Sequence, residues 1–354
     1  MTIIQSLQNK LNEYNLDGFL VMSSVNRRYI SGFTGTSGAV LLTKTKALFI
    51  TDFRYVEQAE SQVKDAQIVK QTGTLMQEIF TQVNALQLNK LGFEKTKLTY
   101  AEYEQLDEFL AEVELVPVEN IVESLRLFKT DAEIETMKEA AAIAEKAYEH
   151  IQTFIKPGVK EIDVSNELEM FMRKQGAVSS SFDIIVASGA RSALPHGVAS
   201  DKVIQSGELV TLDFGAYYNG YCSDITRTLA VGDVSEELKN IYEIVRVAQQ
   251  RGIDEIKPGM TGKEADALTR DYITEQGYGE YFGHSTGHGL GMEVHEAPGV
   301  SLKSDVVLKP GMVVTVEPGI YIPGVGGVRI EDDILITESG NERLNYSAKD
   351  LIVL

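Results

Sequence analysis

Basic charge, cysteine and long apolar runs are scarce in this chain. Only 33 Lys and Arg stand against 52 Asp and Glu, for a net charge of −19. Such a surface repels phosphate backbones, which argues against nucleic acid as a partner. The single cysteine, Cys222, excludes an internal disulfide. No apolar stretch approaches a membrane span, and the N-terminus shows no basic region followed by an apolar one. No membrane is therefore expected, and a soluble cytoplasmic protein fits. Histidine is sparse too, with five in 354 residues. The rest is ordinary: 43% hydrophobic and 24% charged, with length enough for two domains and an ample core.

The acids are plentiful, and four of them sit in ordered contexts. Thr211-Leu212-Asp213-Phe214-Gly215 and Tyr221-Cys222-Ser223-Asp224-Ile225-Thr226 both alternate like half-buried strands. Asn219-Gly220 between them is a hairpin turn signal. A turn there places Asp224 opposite Gly215, two residues from Asp213 and on the same face. A second hairpin, centred on Gly324 in Pro323-Gly324-Val325-Gly326-Gly327, places Glu317 across from Glu331. Carboxylates crowded on one sheet face repel, and a buried site tolerates them only with a cation between them. His288, in His284-Ser285-Thr286-Gly287-His288-Gly289-Leu290-Gly291, can add an imidazole. Four carboxylates and one His suit a pair of divalent ions, manganese first, with cobalt or zinc possible.

The segments LDFGAYYNGYCSDITRT, HSTGHGLGMEVHEAP, TVEPGIY and GVRIEDD resemble the pita-bread (M24) metallopeptidases, the group of methionine aminopeptidase, aminopeptidase P and prolidase. The resemblance puts the family's five metal ligands on Asp213, Asp224, His288, Glu317 and Glu331. It implies that Asp213 chelates one ion, His288 and Glu317 the other, and that Asp224 and Glu331 bridge them. It also implies hydrolysis by a hydroxide bridging the two metals, with Glu317 moving the proton. His196, His284 and His295 fall on positions that line the site or touch substrate. Of these, His196 and His295 are expected to stabilise the tetrahedral intermediate. Arg329, alternating with Glu331, is expected beside the substrate and behind a ligand carboxylate.

The chain in order points to an α/β (α+β) architecture. Ile4, Leu7, Leu11 and Tyr14 recur at helical spacing. Gly18–Met22, Ala39–Leu42 and Ala47–Ile50 read as strands, and Asn26–Gly35 as a loop-rich segment. Arg27, Arg28 and Arg54 are expected on a solvated face. Asn26–Phe33 and Thr51–Tyr55 resemble the creatinase and prolidase N-terminal domain, which methionine aminopeptidases generally lack. That branch implies peptide substrates with proline in second position, handled as a dipeptidase or as an aminopeptidase P, and a homodimer. The domains are expected at 1–125 and 126–354, the second opening on the capping box Thr130-Asp131-Ala132-Glu133. His150 on the following helix is expected to be structural.

Within the second domain, Ile155-Lys156-Pro157-Gly158 recurs as Ile256-Lys257-Pro258-Gly259. Lys160-Glu161 with Asp163 then recurs as Lys263-Glu264 with Asp266, after a two-residue insertion. Two αβ halves with pseudo-twofold symmetry are expected, with the site between them. The glycines around His288 are expected to let backbone approach the metals, and Cys222 is expected to be a packed thiol. Two other readings stand beside the peptidase. One is a metal-free creatinase-like hydrolase. The other is a non-catalytic pita-bread binding module, which would have lost a ligand where this chain keeps all five.

Overall fold

The computed structural model describes residues 2–354, which form two compact units meeting in sequence at Arg126 and Leu127. The first unit runs α1 (Ile3–Glu13), β1 (Gly18–Val21), α2 (Ser24–Ser31), β2 (Ala39–Thr43), β3 (Ala47–Thr51), α3 (Val56–Gln62), β4 (Gln67–Lys70), α4 (Leu75–Ala85), β5 (Lys90–Glu94), α5 (Tyr100–Phe109), β6 (Glu114–Val118) and α6 (Glu123–Arg126). Its six strands lie in the order β4-β3-β2-β1-β5-β6. The central strands read as unbroken apolar runs because both faces are covered. Phe19, Val40, Leu42 and Phe49 pack toward Leu7 and Leu11 of α1. Leu20, Leu41, Leu48 and Ile50 pack toward Ile79, Val83 and Leu106 of α4 and α5.

Two expectations fail in this unit. Asn26–Ser31 is not loop but most of helix α2, capped by the Ser23 hydroxyl and closed by Gly32 at φ 73°. Arg27 is not solvated. It is buried, and its guanidinium donates to the carbonyls of Gly35 and Gly38 at 2.9 Å each. Arg54 does stay largely exposed, paired with Asp52 at 2.8 Å.

The second unit contains α7 (Asp131–Ile151), α8 (Glu161–Lys174), β7 (Ser179–Ser180), β8 (Ile185–Ser188), β9 (Glu208–Phe214), β10 (Ala216–Tyr218), β11 (Tyr221–Cys222) and β12 (Ile225–Val231). It continues with α9 (Glu236–Glu255), α10 (Gly262–Glu275), β13 (Gly287–Gly289), β14 (Glu296–Val300), β15 (Val313–Val316), β16 (Gly319–Ile322), β17 (Gly326–Arg329), β18 (Asp332–Ile336) and β19 (Asn341–Arg343). The capping box at Thr130 opens α7, which buries Ile134, Met137, Ala141, Ala144, Tyr148 and Ile151. His150 bonds Glu167 at 2.6 Å and stacks on Phe171, a packing role.

Between the repeated Ile-Lys-Pro-Gly segment and the helix that follows it, the two halves match without an insertion. Helices α8 and α10 both span 14 residues and begin three residues after Gly158 and Gly259. Gly158 N–H donates to Ile204 O and Gly259 N–H to Leu308 O, both at 2.9 Å. The bridge Lys160↔Val203 matches Thr261↔Val307. Lys263-Glu264 is therefore not the counterpart of Lys160-Glu161, and the shared dipeptide is a coincidence of composition. Each half then lays down three antiparallel strands in equivalent order, β8-β9-β12 and β13-β15-β18. Among the described residues, no helix is long and apolar enough to cross a membrane.

Candidate metal centre

Strands β9 and β12 pair with Asp213 opposite Thr226 and Phe214 opposite Ile225. Beyond them β10 and β11 pair Tyr217 with Cys222 in the same register. That register leaves Gly215 facing Asp224 at the point where the ribbon crosses between sheets. A Cβ on Gly215 would lie 1.8 Å from Ser223 O, so only glycine allows the crossing. Asn219 and Gly220 turn the hairpin at φ 47° and 95°.

The second acidic ribbon behaves alike. Val316 pairs with Asp332 on one side and Gly319 with Arg329 on the other. The unbroken register sets Glu317 across from Glu331. Their backbone N–H groups turn outward, Glu317 to Thr286 O at 2.8 Å and Glu331 to Thr226 O at 3.1 Å. The latter bond ties the two ribbons together and brings all four acids to one place.

Asp224, His288 and Glu331 each bring a donor atom within 4.8 Å of the others, a group able to hold a metal ion. Glu317 Oε1 lies 3.3 Å and Asp224 Oδ2 3.8 Å from His288 Nε2. His288 Nδ1 faces Gly289 O at 3.1 Å, so this nitrogen carries the proton. Burial lowers the His288 pKa and keeps the ring neutral. Its Nε2 then presents a lone pair to carboxylate oxygens, which are acceptors too. One oxygen each of Asp213, Asp224 and Glu331 is buried without a hydrogen-bond partner. Burial, reinforced by mutual repulsion, raises the pKa of Asp224 and Glu331. Burial also pushes Glu317 up to about 8, despite nearby Arg329. Acceptors facing acceptors at this density fit divalent cations bound among these five side chains.

The surrounding groups hold the acids in place. Thr226 Oγ1 donates to Glu331 at 2.6 Å, and Thr315 Oγ1 to Glu317 at 3.1 Å. Asp333 accepts the Asp224 N–H at 3.0 Å. Sequence reasoning passed over these three, although Thr226 and Thr315 share strand parity with Asp224 and Glu317. Arg329 is buried and bonded at each of its three guanidinium nitrogens. It donates to Asp213, to Tyr321 Oη at 2.8 Å, to Pro195 O at 3.1 Å and to Thr226 Oγ1 at 3.1 Å. Tyr321, also unforeseen, donates in turn to His284 Nε2 at 2.7 Å, since His284 Nδ1 faces Ser285 O. Burial pushes the His284 pKa down to about 4, so it stays neutral.

These acids line a cavity of about 510 Å³. His196, His284, His295 and Arg329 line it as well, and His196 and His295 are both exposed there. The His295 ring stands edge-on to His288, 4.3 Å between centroids. Phe182, Ile185, Val198 and Val294 form an apolar wall that sequence patterning did not mark. The glycines flanking His288 have a packing reason. A Cβ on Gly287 would meet Thr315 O at 2.0 Å, and one on Gly289 would meet Ala297 O at 2.3 Å. They let β13 lie close between its neighbours β14 and β15. His284 and His288 share no helix, because His288 is in β13. Burial drives the Cys222 thiol up to about 12, which keeps it un-ionised.

The pattern of Metallopeptidase family M24 matches residues 135–338, and that of the Creatinase/Prolidase N-terminal domain matches residues 3–128. An Xaa-Pro dipeptidase from Bacillus anthracis superposes with a TM-score of 0.98 at 62% identity, covering 99% of both chains. The Xaa-Pro dipeptidase of Pyrococcus horikoshii is 41% identical over 99% of this chain and 100% of its own. An X-Pro aminopeptidase from Thermotoga maritima superposes at 0.92 with 38% identity, covering 98% of this chain and all of its own. The expected pairing of a creatinase-like domain with a pita-bread domain is borne out, and the chain belongs to metallopeptidase family M24.

Proposed function

We propose that the protein is an Xaa-Pro dipeptidase that cleaves the amide bond between an N-terminal residue and a following proline, using two divalent ions. The observation that carries this reading is the meeting of two acidic ribbons and His288 Nε2 in the lining of one cavity, with buried carboxylate oxygens left unpartnered. Asp213 and Asp224 come from the first ribbon, and Glu317 and Glu331 from the second. In this reading Asp213, Asp224, His288, Glu317 and Glu331 would hold the ions. The carboxylate-rich set favours manganese.

Bound there, the ions would supply an acidified water as nucleophile and positive charge for the oxyanion. The protein's residues supply the rest. Glu317 accepts the proton released and returns it to the leaving proline nitrogen. The exposed imidazoles of His196 and His295 donate N–H groups to the developing oxyanion. Phe182, Ile185, Val198 and Val294 take up apolar parts of the substrate. Arg329, with its donors engaged by protein groups, fixes Asp213 and Tyr321.

The likeness to an X-Pro aminopeptidase supports a second reading, in which longer peptides are accepted. Turnover of an Xaa-Pro dipeptide beside an Xaa-Pro-Yaa tripeptide separates the two. The dipeptidase reading predicts faster hydrolysis of the dipeptide. Preference for the tripeptide favours the aminopeptidase, and inertness toward both contradicts the proline-directed activity.

A further inference from the structure

Two buried carboxylates lie away from the metal ligands, one in each half of the second unit. Glu161 opens α8 and is fully buried. Its Oε1 accepts from Ser188 N–H and Ser188 Oγ, both at 2.8 Å. Its Oε2 accepts from Ser200 Oγ at 2.6 Å, from Ser200 N–H at 3.3 Å and from Arg191 Nη1. The other guanidinium nitrogen of Arg191 donates to Val198 O at 2.9 Å. One carboxylate thus grips both ends of the segment 188–200, and its arginine crosses the middle. That segment carries His196 into the cavity.

The second half reaches the same result by other means. Asp266 of α10 is fully buried and accepts the Thr286 N–H at 2.9 Å. It pairs with Arg270, whose Nε lies at 2.6 Å. Arg270 donates to Phe282 O at 3.0 Å and to His284 O at 2.6 Å. Here the arginine comes from the helix, whereas Arg191 comes from the loop. Glu161 and Asp266 also stand at different turns of their helices. Both halves nonetheless end with a buried acid and an arginine holding a histidine-bearing segment.

We infer that Glu161 and Arg191 are positioning residues for His196, acting through segment 188–200. The inference rests on the role proposed above for His196. The arrangement suits the task. His196 itself is exposed, so neighbouring side chains do not fix its ring by packing, and its place depends on the loop's anchors. A carboxylate bonded by five donors has little freedom, and the Arg191 fork passes that rigidity to Val198, two residues beyond His196. A displacement of about 1 Å in a positioned group costs on the order of 10²-fold in rate.

The test is a double-substitution cycle on the manganese-loaded full-length protein with an Xaa-Pro dipeptide. Arg191→Ala removes the crossing arm and leaves Glu161 with its serine donors. It is expected to lower kcat roughly 10–100-fold while bound manganese per chain is unchanged. In a His196→Ala background the same substitution is expected to cost less than about twofold, because the group it positions is gone. Arg191→Lys, which keeps the bond to Glu161, is expected to restore part of the rate and serves in the cycle if Arg191→Ala does not fold. A second readout does not depend on turnover. In zinc-loaded protein with labelled histidine, the His196 resonance, identified by its loss in His196→Ala, is expected to shift or broaden in Arg191→Ala and the His150 resonance to stay.

Equal losses in both backgrounds, or an unmoved His196 resonance, overturn the inference. So does an Arg191→Ala effect when His196→Ala alone leaves turnover intact. That last outcome also removes the proposed role of His196, whereas additive losses leave that role standing.

Discussion

Asp224 and Glu331 are the residues on which the proposed metal centre turns. Each is buried, each has an oxygen with no partner, and each has its pKa raised by burial and by the other acids. Replacing either with Ala removes a charge proposed to be shared by both ions. Elemental analysis is expected to show lost metal with the fold retained, since the metal-free acids repel one another. Two ions still bound in either variant would refute the assignment. The histidines divide by the same logic. His288→Ala should weaken metal affinity, with activity partly recovered at high manganese. His295→Ala should keep its metal and lose about 10²–10⁴-fold in turnover. Metal titration of the two variants separates them, and a reversed pattern reverses the roles.

Glu317 makes the centre visible in the pH dependence of stability. Its pKa is about 8 in the folded, metal-free chain, above the ordinary 4.5. A carboxyl with a raised folded pKa stabilises fully below the unfolded value and loses that contribution as pH rises through the folded one. The metal-free protein should therefore lose thermal stability between about pH 4.5 and 8. Manganese favours the ionised form and should flatten the decline. Parallel melting profiles with chelator and with manganese would contradict this account.

At the scale of elements, strand register brings the acids together. Both ribbons keep one register across the point where each changes sheet, and in both the expected facing pairs are found. That much was legible because Asn219-Gly220 and Gly324 mark the turns and side chains alternate along a strand. The cost of close approach was less legible, because no local pattern announces which strand will lie against a glycine. Gly287→Ala places a Cβ 2.0 Å from Thr315 O, whereas Gly283→Ala meets nothing within 4 Å. The first substitution is expected to destabilise by about 3 kcal/mol and the second to be close to neutral. Chemical denaturation of both variants checks this, and equal midpoints would show that β13 has room to move. Arg27 escaped the sequence for a related reason. A charged side chain reads as exposed until the carbonyls that bury it, Gly35 and Gly38, are seen to lie together.

The second unit is held as one body by a buried charge centre between its halves. Asp332 is fully buried and accepts from Arg227 at 2.7 Å, Gln249 at 3.0 Å and Lys349 at 3.2 Å. It links β12 of the first half, β18 and α9 of the second, and the C-terminal segment. Asp332→Ala would leave the Arg227 guanidinium buried without its counter-ion. A loss of about 3–5 kcal/mol is expected by denaturant titration, and a change under about 1 kcal/mol would mean that solvent reaches the site. The repetition of the two halves was legible in the paired Ile-Lys-Pro-Gly segments. The equivalence of their strands was not, because the sequences of β8 and β13 share no pattern.

The fold is proposed to assemble a two-ion centre that hydrolyses Xaa-Pro bonds. The direct measurement is hydrolysis of an Xaa-Pro dipeptide by chelator-treated protein as manganese is titrated back, with metal bound per chain determined at each point. The account predicts no turnover in the metal-free protein and full recovery as occupancy reaches two ions. Full activity in protein shown to hold no metal would contradict it.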